Sequence, residues 1–313
     1  MKDCVTFGET MLALRRHAVG GLALGDSFLL DVAGAESTVA IGLARLGHAV
    51  SWVGRVGADD AGDLVLRTLR AEGVDICGAA RDPDHQTGLL MRERRTPALT
   101  RVRYFRGGSA GAQIRPTDVL PHVVTGVRIV HATGITAALG DGPRDVVRET
   151  LSLAREVGAI ASFDVNHRAR LWSTADAAAS LTDLVDRVDL LFCSEDELGI
   201  VSNPGRDPIA ALFGRGVTEV VVKRGASGAT AYRRDETAEV PAVAVQATDT
   251  VGAGDAFVAG YLSALLDGLP LSGRLMRAAT TGAFAVTAPS DWQALPSRAE
   301  LDLLDLSPDT TLR

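Results

Sequence analysis

Asp255 is the residue with the strongest claim to chemistry. It lies in Asp249-Thr250-Val251-Gly252-Ala253-Gly254-Asp255-Ala256-Phe257, between a β-like run over Ala238 to Gln246 and a helix-like run over Phe257 to Leu266. Gly252 and Gly254 allow a sharp turn and a close approach of backbone to a ligand, and Ala253 adds almost no bulk. The free N–H groups of the following helix point back at the turn and create an anion site with partial positive charge. A carboxylate there is a poor device for binding phosphate alone. It suits removal of a proton while negative charge develops nearby. The plainer alternative is a helix-terminal carboxylate beside turn glycines, and for Gly-x-Gly-Asp alone that alternative is the stronger one.

Three other polar clusters close apolar, β-like runs. Asp164-Val165-Asn166-His167-Arg168 ends the run Ile160 to Val165, Ser194-Glu195-Asp196-Glu197 follows Leu190 to Cys193, and Lys223-Arg224-Gly225 ends Glu219 to Lys223. Each has a structural alternative: strand-end polarity, a helix cap, a hairpin turn. Ligands of doubly wound sheets bind at the C-terminal ends of strands, so the four clusters together predict one continuous cleft. Lysine occurs only at Lys2 and Lys223, which makes Lys223 a candidate point charge for phosphate.

The elements that must position these residues alternate. Strand-like Val5 to Gly8, Val50 to Val56, Arg128 to Ala132, Ile160 to Val165, Leu190 to Cys193 and Glu219 to Lys223 are interleaved with helix-like segments. These helices cover Ser37 to Leu46, a stretch capped by Asp59 or Asp60 and running to Ala71, Pro143 to Val157, Ala253 to Leu266 and Leu275 to Thr287. Ser37 or Thr38 is a candidate cap for the first. Repeated β-helix-β units imply a mostly parallel sheet covered on both faces. Met11 to Arg15, Phe28 to Val32, Thr87 to Arg94 and Thr100 to Arg106, with a turn near Thr96-Pro97, fit a small separate β-sheet. The expectation is one domain over 1–313 with a lid from about 11–32 and 87–106.

The 313 residues are 46% hydrophobic and carry a formal net charge of −7. No basic run stands out, which argues against nucleic acid or an anionic membrane as partner. No apolar run reaches membrane-spanning length. Cys4, Cys77 and Cys193 form no metal or redox pattern, and Met1-Lys2-Asp3 leads into a strand without a signal-like apolar stretch; a cytoplasmic location is expected. The six histidines are scattered without zinc spacing. Gly8-Glu9-Thr10 is not the Gly-x-Gly-x-x-Gly of a dinucleotide-binding oxidoreductase, and there is neither a Walker A string nor a Gly-x-Ser-x-Gly elbow.

The string around Asp255 resembles the C-terminal signature of the ribokinase-like sugar kinases, the pfkB family. Ala33-Gly34-Ala35-Glu36-Ser37-Thr38, Leu46-Gly47 and Val53-Gly54-Arg55-Val56-Gly57-Ala58-Asp59-Asp60-Ala61-Gly62 resemble its N-terminal signature. The match runs from Thr6-Phe7-Gly8-Glu9 to Ala294-Leu295-Pro296-Ser297. It implies a ribokinase-like three-layer α/β/α fold, a mostly parallel central sheet with a small β-sheet lid, and ATP-dependent phosphorylation of a sugar hydroxyl. Asp255 would be the base, and the N–H groups around Gly252, Ala253 and Gly254 the anion hole.

Further roles follow only from the resemblance. Gly34, Ala35, Glu36, Thr38 and Asp249 would contribute to the sugar site. Asn166, Ser194, Lys223, Gly225, Gly228, Gly252, Gly254 and Ala279 would lie on the nucleotide side, and Glu197 would organise hydrated magnesium. Tyr104-Phe105-Arg106-Gly107-Gly108-Ser109-Ala110, Phe163 to Trp172 and Gly8-Glu9-Thr10 resemble the 2-keto-3-deoxygluconate kinase branch. Its tyrosine and arginines match Tyr104, Arg106 and Arg168, and arginine's planar fork suits a carboxylate. The chain departs from the pattern at Ala33, Thr38, Leu90, Ser194 and Ala279. The expected substrate is 2-keto-3-deoxygluconate, taken to its 6-phosphate. A neutral sugar or nucleoside kinase (fructose, ribose) and a non-catalytic sugar-binding protein are the alternatives. The expected cofactors are ATP and Mg2+, with a monovalent cation left open, and the expected assembly is a homodimer through the lid.

Overall fold

The computed structural model describes residues 2–96, 99–202 and 207–305. Thirteen strands are present among them: β1 Cys4–Phe7, β2 Met11–Val19, β3 Phe28–Ala33, β4 Val50–Gly57, β5 Ala79–Asp82, β6 Leu89–Thr96, β7 Leu99–Phe105, β8 Ile129–Thr133, β9 Ile160–Asp164, β10 Leu190–Ser194, β11 Glu219–Lys223, β12 Ala229–Tyr232 and β13 Thr237–Val240. Nine build one sheet in the order β13-β12-β11-β10-β9-β8-β1-β4-β5. Its members from β11 to β5 run parallel, and β12 and β13 add an antiparallel edge.

Parallel strands buried on both faces need apolar residues on both, and side chains alternate between faces. On β10, Leu190 and Phe192 enter one core with Trp52, Val221 and Tyr261, while Leu191 and Cys193 enter the other with Val220, Val222 and Phe163. The first core is covered by the helices Ala35–Arg45, Ala253–Leu266 and Leu271–Ala285, the second by Asp141–Glu156 and Thr174–Val185. This is the ribokinase-like three-layer arrangement. The small-residue helices pack closely: a Cβ on Gly260 would lie 2.6 Å from Thr281 Oγ1 and 2.8 Å from the Arg277 carbonyl.

The other four strands form the small sheet, order β3-β2-β6-β7, with β2 and β6 parallel and the outer pairs antiparallel. Ala13, Leu90 and Tyr104 stand in register across it, as do Arg15, Arg92 and Val102. Gly8-Glu9-Thr10 carries the chain from the large sheet into β2, and β3 leads back into helix Ala35–Arg45.

Several local expectations change. The run before the glycine turn is a strand only to Val240, because Pro241 has no N–H for the ladder. The helix expected from Ser37 begins at Ala35 with Gly34 at its N-cap, and Ser37 Oγ instead donates to the Gly34 carbonyl at 3.0 Å. The last helix spans Leu271–Ala285, not Leu275 to Thr287. Asp59 does cap its helix, accepting from Gly62 N–H at 2.7 Å. Helix Thr174–Val185 is absent from the sequence reading, since Ala175 and Ala177 to Ala179 blur its polar–apolar period. The expected turn at Pro97 lies outside the described residues.

Candidate active site

A cleft of about 750 Å³ lies between the small sheet and the C-terminal ends of the large sheet's strands. Asn166 follows β9, Ser194 ends β10, Lys223 ends β11, and Gly252, Gly254 and Asp255 come from the turn opening helix Ala253–Leu266; all line the cleft. From the sheet side come Leu90, Arg92, Val102, Tyr104 and Arg106. The four polar clusters therefore meet in one space.

Gly252 adopts the left-handed conformation, φ +80°, where a side chain would be strained. The early N–H groups of a helix have no intrahelical acceptor, although Ala253 N–H is turned to the Thr250 carbonyl at 3.3 Å. A Cβ on Gly254 would lie 3.7 Å from Lys223 Nζ, so the lysine faces the turn. Lys223 Nζ is 2.6 Å from Asp164 Oδ2. Burial alone would lower the Lys223 ammonium, but Asp164, Glu197 and Asp255 outweigh it and hold its pKa above the ordinary value.

Burial pushes the Asp255 carboxyl up to about 7; the nearby charges of Asp164 and Asp291 add to the rise, and Arg168 and Lys223 oppose it. A helix N-terminus favours a carboxylate by only about 0.3–1 kcal/mol at the surface, so burial prevails. Asn166 Nδ2 donates to Asp255 Oδ1 at 3.1 Å. Asn166 has φ +41°, a positive value for a non-glycine residue, and such backbone strain persists where the surroundings impose it.

Glu197 joins two strand ends: Oε1 accepts from His167 N–H at 2.6 Å and Oε2 from Ser194 N–H at 2.8 Å. Arg168 is exposed to the cleft and donates to the His167 carbonyl at 3.2 Å; it makes no ion pair among the described residues. Arg106 differs. It is half-buried, ion-paired with Glu9, and its guanidinium carbon lies 5.6 Å from the Tyr104 ring centroid. Ser109 Oγ donates to the same Glu9.

Not every expected residue reaches the cleft. Gly34 and Ala35 line it, as do Gly225 and Glu197. Glu36 lies behind the wall, accepting from Thr133 Oγ1 at 2.7 Å and Thr136 Oγ1 at 2.6 Å. Thr38 is buried too, and Ala279 sits in the helical core. A Cβ on Gly228 would strike the Val240 carbonyl, so this glycine serves the β11–β12 turn. Asp249 accepts from Val251 N–H at 3.1 Å and borders a separate pocket of about 180 Å³ with Arg15, Arg16, Arg92 and Arg94. Arg92 and Asp291 line the main cleft and were not singled out by sequence. Arg92 was findable, because it follows Leu90 by two residues on a strand and shares its face.

The sequence matches the family described as pfkB family carbohydrate kinase over residues 1–298. The chain belongs to the pfkB family of carbohydrate kinases. This pfkB-type sugar kinase is 35% identical to a 2-dehydro-3-deoxygluconokinase of Bacillus subtilis, over 96% of this chain and 94% of that one. The crystal structure of a PfkB protein from Polaromonas sp. JS666 superposes with a TM-score of 0.86 at 34% identity, covering 97% of this chain and 99% of that one. A fructokinase from Xylella fastidiosa, solved with bound ATP, superposes at 0.85 and 29% identity over 97% and 98%. Among the described residues no helix is long and apolar enough to cross a membrane.

Proposed function

We propose that this kinase transfers the terminal phosphoryl group of ATP to the end hydroxyl of 2-keto-3-deoxygluconate, giving the 6-phosphate. The observation that carries the reaction is Asp255, a carboxylate of pKa about 7 at the mouth of a glycine turn that faces Lys223. ATP with Mg2+ supplies, when bound, the transferable group and the neutralisation of its charge. Asp255 takes the proton of the sugar hydroxyl, and Asn166 fixes the orientation of its carboxylate. With the Ala253 N–H turned to Thr250, the N–H groups of Gly252 and Gly254 and the Lys223 ammonium face the charge that develops on the transferred group. Residues 1–313 act as one domain, and the small sheet serves as a lid that excludes water.

Three residues bear on magnesium and nucleotide. Among the described residues no cluster of three or more His, Cys, Asp or Glu could hold a metal. Both Glu197 oxygens already accept backbone N–H bonds, so Glu197 fits as a partner of magnesium-bound water through its remaining lone pairs. Ser194 and Gly225 line the same cleft. Potassium titration tests the monovalent-cation requirement.

The acid-sugar assignment rests on Arg168, which makes no ion pair among the described residues, and on the named activity of the Bacillus subtilis relative. Of the two arginines expected at the sugar acid, Arg106 is already ion-paired with Glu9. That pair, and apolar Leu90 in the cleft wall, favour a neutral sugar such as fructose as the second reading. ADP release with 2-keto-3-deoxygluconate, fructose and ribose tests both: the acid is expected to lead in kcat/KM, and a tenfold lead for a neutral sugar refutes it. We further propose a cytoplasmic homodimer through the lid, supported by exposed Leu29, Leu30, Leu99 and Phe105 on the small sheet. Sedimentation of wild type against Leu30→Glu tests the dimer.

A further inference from the structure

We propose that residues 290–292 form a strut through which the small sheet sets the Gly252 turn, with Arg92 as the positioning residue at its centre. Three consecutive residues each reach the small sheet. Ser290 Oγ donates to Asp31 Oδ2 of β3 at 2.8 Å, Asp291 is ion-paired with Arg92 of β6, and Trp292 Nε1 donates to the Val32 carbonyl of β3 at 3.2 Å. β3 and β6 flank β2, so the strut grips the sheet at two places across its width. Ser290, Asp291 and Arg92 are all buried.

The backbone of the same segment backs the anion turn. A Cβ on Gly252 would lie 2.5 Å from the Asp291 carbonyl oxygen and 2.8 Å from its Cα. Nothing fits between them, so a shift of residue 291 is felt by the turn directly. Downstream, Arg45 Nη1 donates to the carbonyls of Trp292 at 3.3 Å, Gln293 at 3.0 Å and Leu295 at 2.6 Å. That fixes the far end of the strut to helix Ala35–Arg45, which follows β3. The middle of the strut then has the sheet on one side and the turn on the other.

An apolar pair would hold the sheet as well as a buried ion pair does, at less desolvation cost. What the pair adds is direction: two groups in one orientation, joined only when β6 is in place. The sheet forms one wall of the sugar site and the turn opens the catalytic helix. Seating of the sheet therefore completes the phosphoryl side. An error of about 1 Å in such positioning costs on the order of a hundredfold in rate. The inference rests on the kinase reading above.

The test is steady-state kinetics on the full chain, comparing wild type, Arg92→Met, Arg92→Lys and Ser290→Ala with both substrates saturating. Arg92→Met should lower kcat about tenfold or more while sugar KM changes less than about threefold, the signature of an interaction made in the transition state only. Arg92→Lys keeps the charge and should recover part of the rate. Ser290 does not line the cleft, and its Oγ also accepts from Trp292 N–H at 3.5 Å and Gln293 N–H at 3.4 Å; Ser290→Ala loses these long bonds together with the one to Asp31 and should show the same split at about threefold or more. A raised KM with unchanged kcat in Arg92→Met makes Arg92 a sugar contact and overturns the strut. Full kcat in Ser290→Ala overturns it too, and this variant decides if Arg92→Met fails to fold. A wild type that releases no ADP with any sugar refutes the kinase reading itself.

Discussion

Replacing Asp255 by asparagine should abolish turnover and stabilise the protein at the same time. Asparagine keeps the size of the side chain and an oxygen that can accept from Asn166 Nδ2, now 3.1 Å away. It removes the base, and loss of a general base costs about 10²–10⁴-fold in rate. It also removes a carboxylate that burial has pushed from 3.8 up to about 7. The sign is fixed by linkage: a carboxyl of raised pKa binds its proton more tightly in the folded state, so its stability contribution falls as pH rises from 3.8 to about 7. Three units at about 1.4 kcal/mol each set an upper bound of about 4 kcal/mol above that window. Solvent reaching the cleft reduces this, and about 1–2 kcal/mol is a fair expectation. In a chain of this size that raises Tm by about 1.5–3 °C at pH 8, with little change at pH 4. The wild-type pH profile carries the same information: kcat/KM should fall about tenfold per unit below pH 7 as the base is protonated. Melting curves at both pH values and a coupled ADP assay measure all three. A kcat within tenfold of wild type, or a lower Tm at pH 8 in the variant, refutes the reasoning.

Three further substitutions probe the same cleft. Gly254→Val places bulk where a Cβ already lies 3.7 Å from Lys223 Nζ; kcat should fall more than sugar affinity, and equal losses would reduce Gly254 to a turn residue. Glu197→Gln leaves one oxygen where two accept backbone N–H bonds. It should cost about 1–3 kcal/mol of stability and raise the magnesium concentration for half-maximal rate, and an unchanged titration makes Glu197 a loop brace only. Arg168→Ala removes the cleft-facing guanidinium, so selectivity for the acid over its neutral analogue should fall about tenfold to a hundredfold. The acid limb of the pH profile should move up, since Arg168 opposes the rise at Asp255; retained selectivity would assign the carboxylate elsewhere.

Much of the site could be read along the chain because its parts are local. A glycine turn before a helix, a polar residue at a strand end and a cap such as Asp59 are each set by a few consecutive residues. The extent of β11 from Glu219 to Lys223 follows from one β-branched run. Helix starts were less legible. Gly34 and not Ser37 caps its helix because the close approach of that segment to the Glu9 carbonyl, 2.6 Å from a Cβ on Gly34, admits only glycine. That contact joins residues distant in the fold's path, and no local propensity encodes it.

What the sequence by itself determined was the chemistry on offer: the family, the alternation of strand and helix, and the candidate base beside an anion turn. Tertiary structure decided which groups remain available. It paired Arg106 with Glu9 and left Arg168 open, withdrew Glu36, Thr38 and Ala279 behind the cleft wall, and brought Arg92 to Asp291 from 199 positions away. It also raised the Asp255 carboxyl, by burial first and then by the nearby charges of Asp164 and Asp291. The physical reason is common to all of these: the identity of a side chain is written locally, but its partners and its dielectric surroundings are fixed only when distant segments close around it.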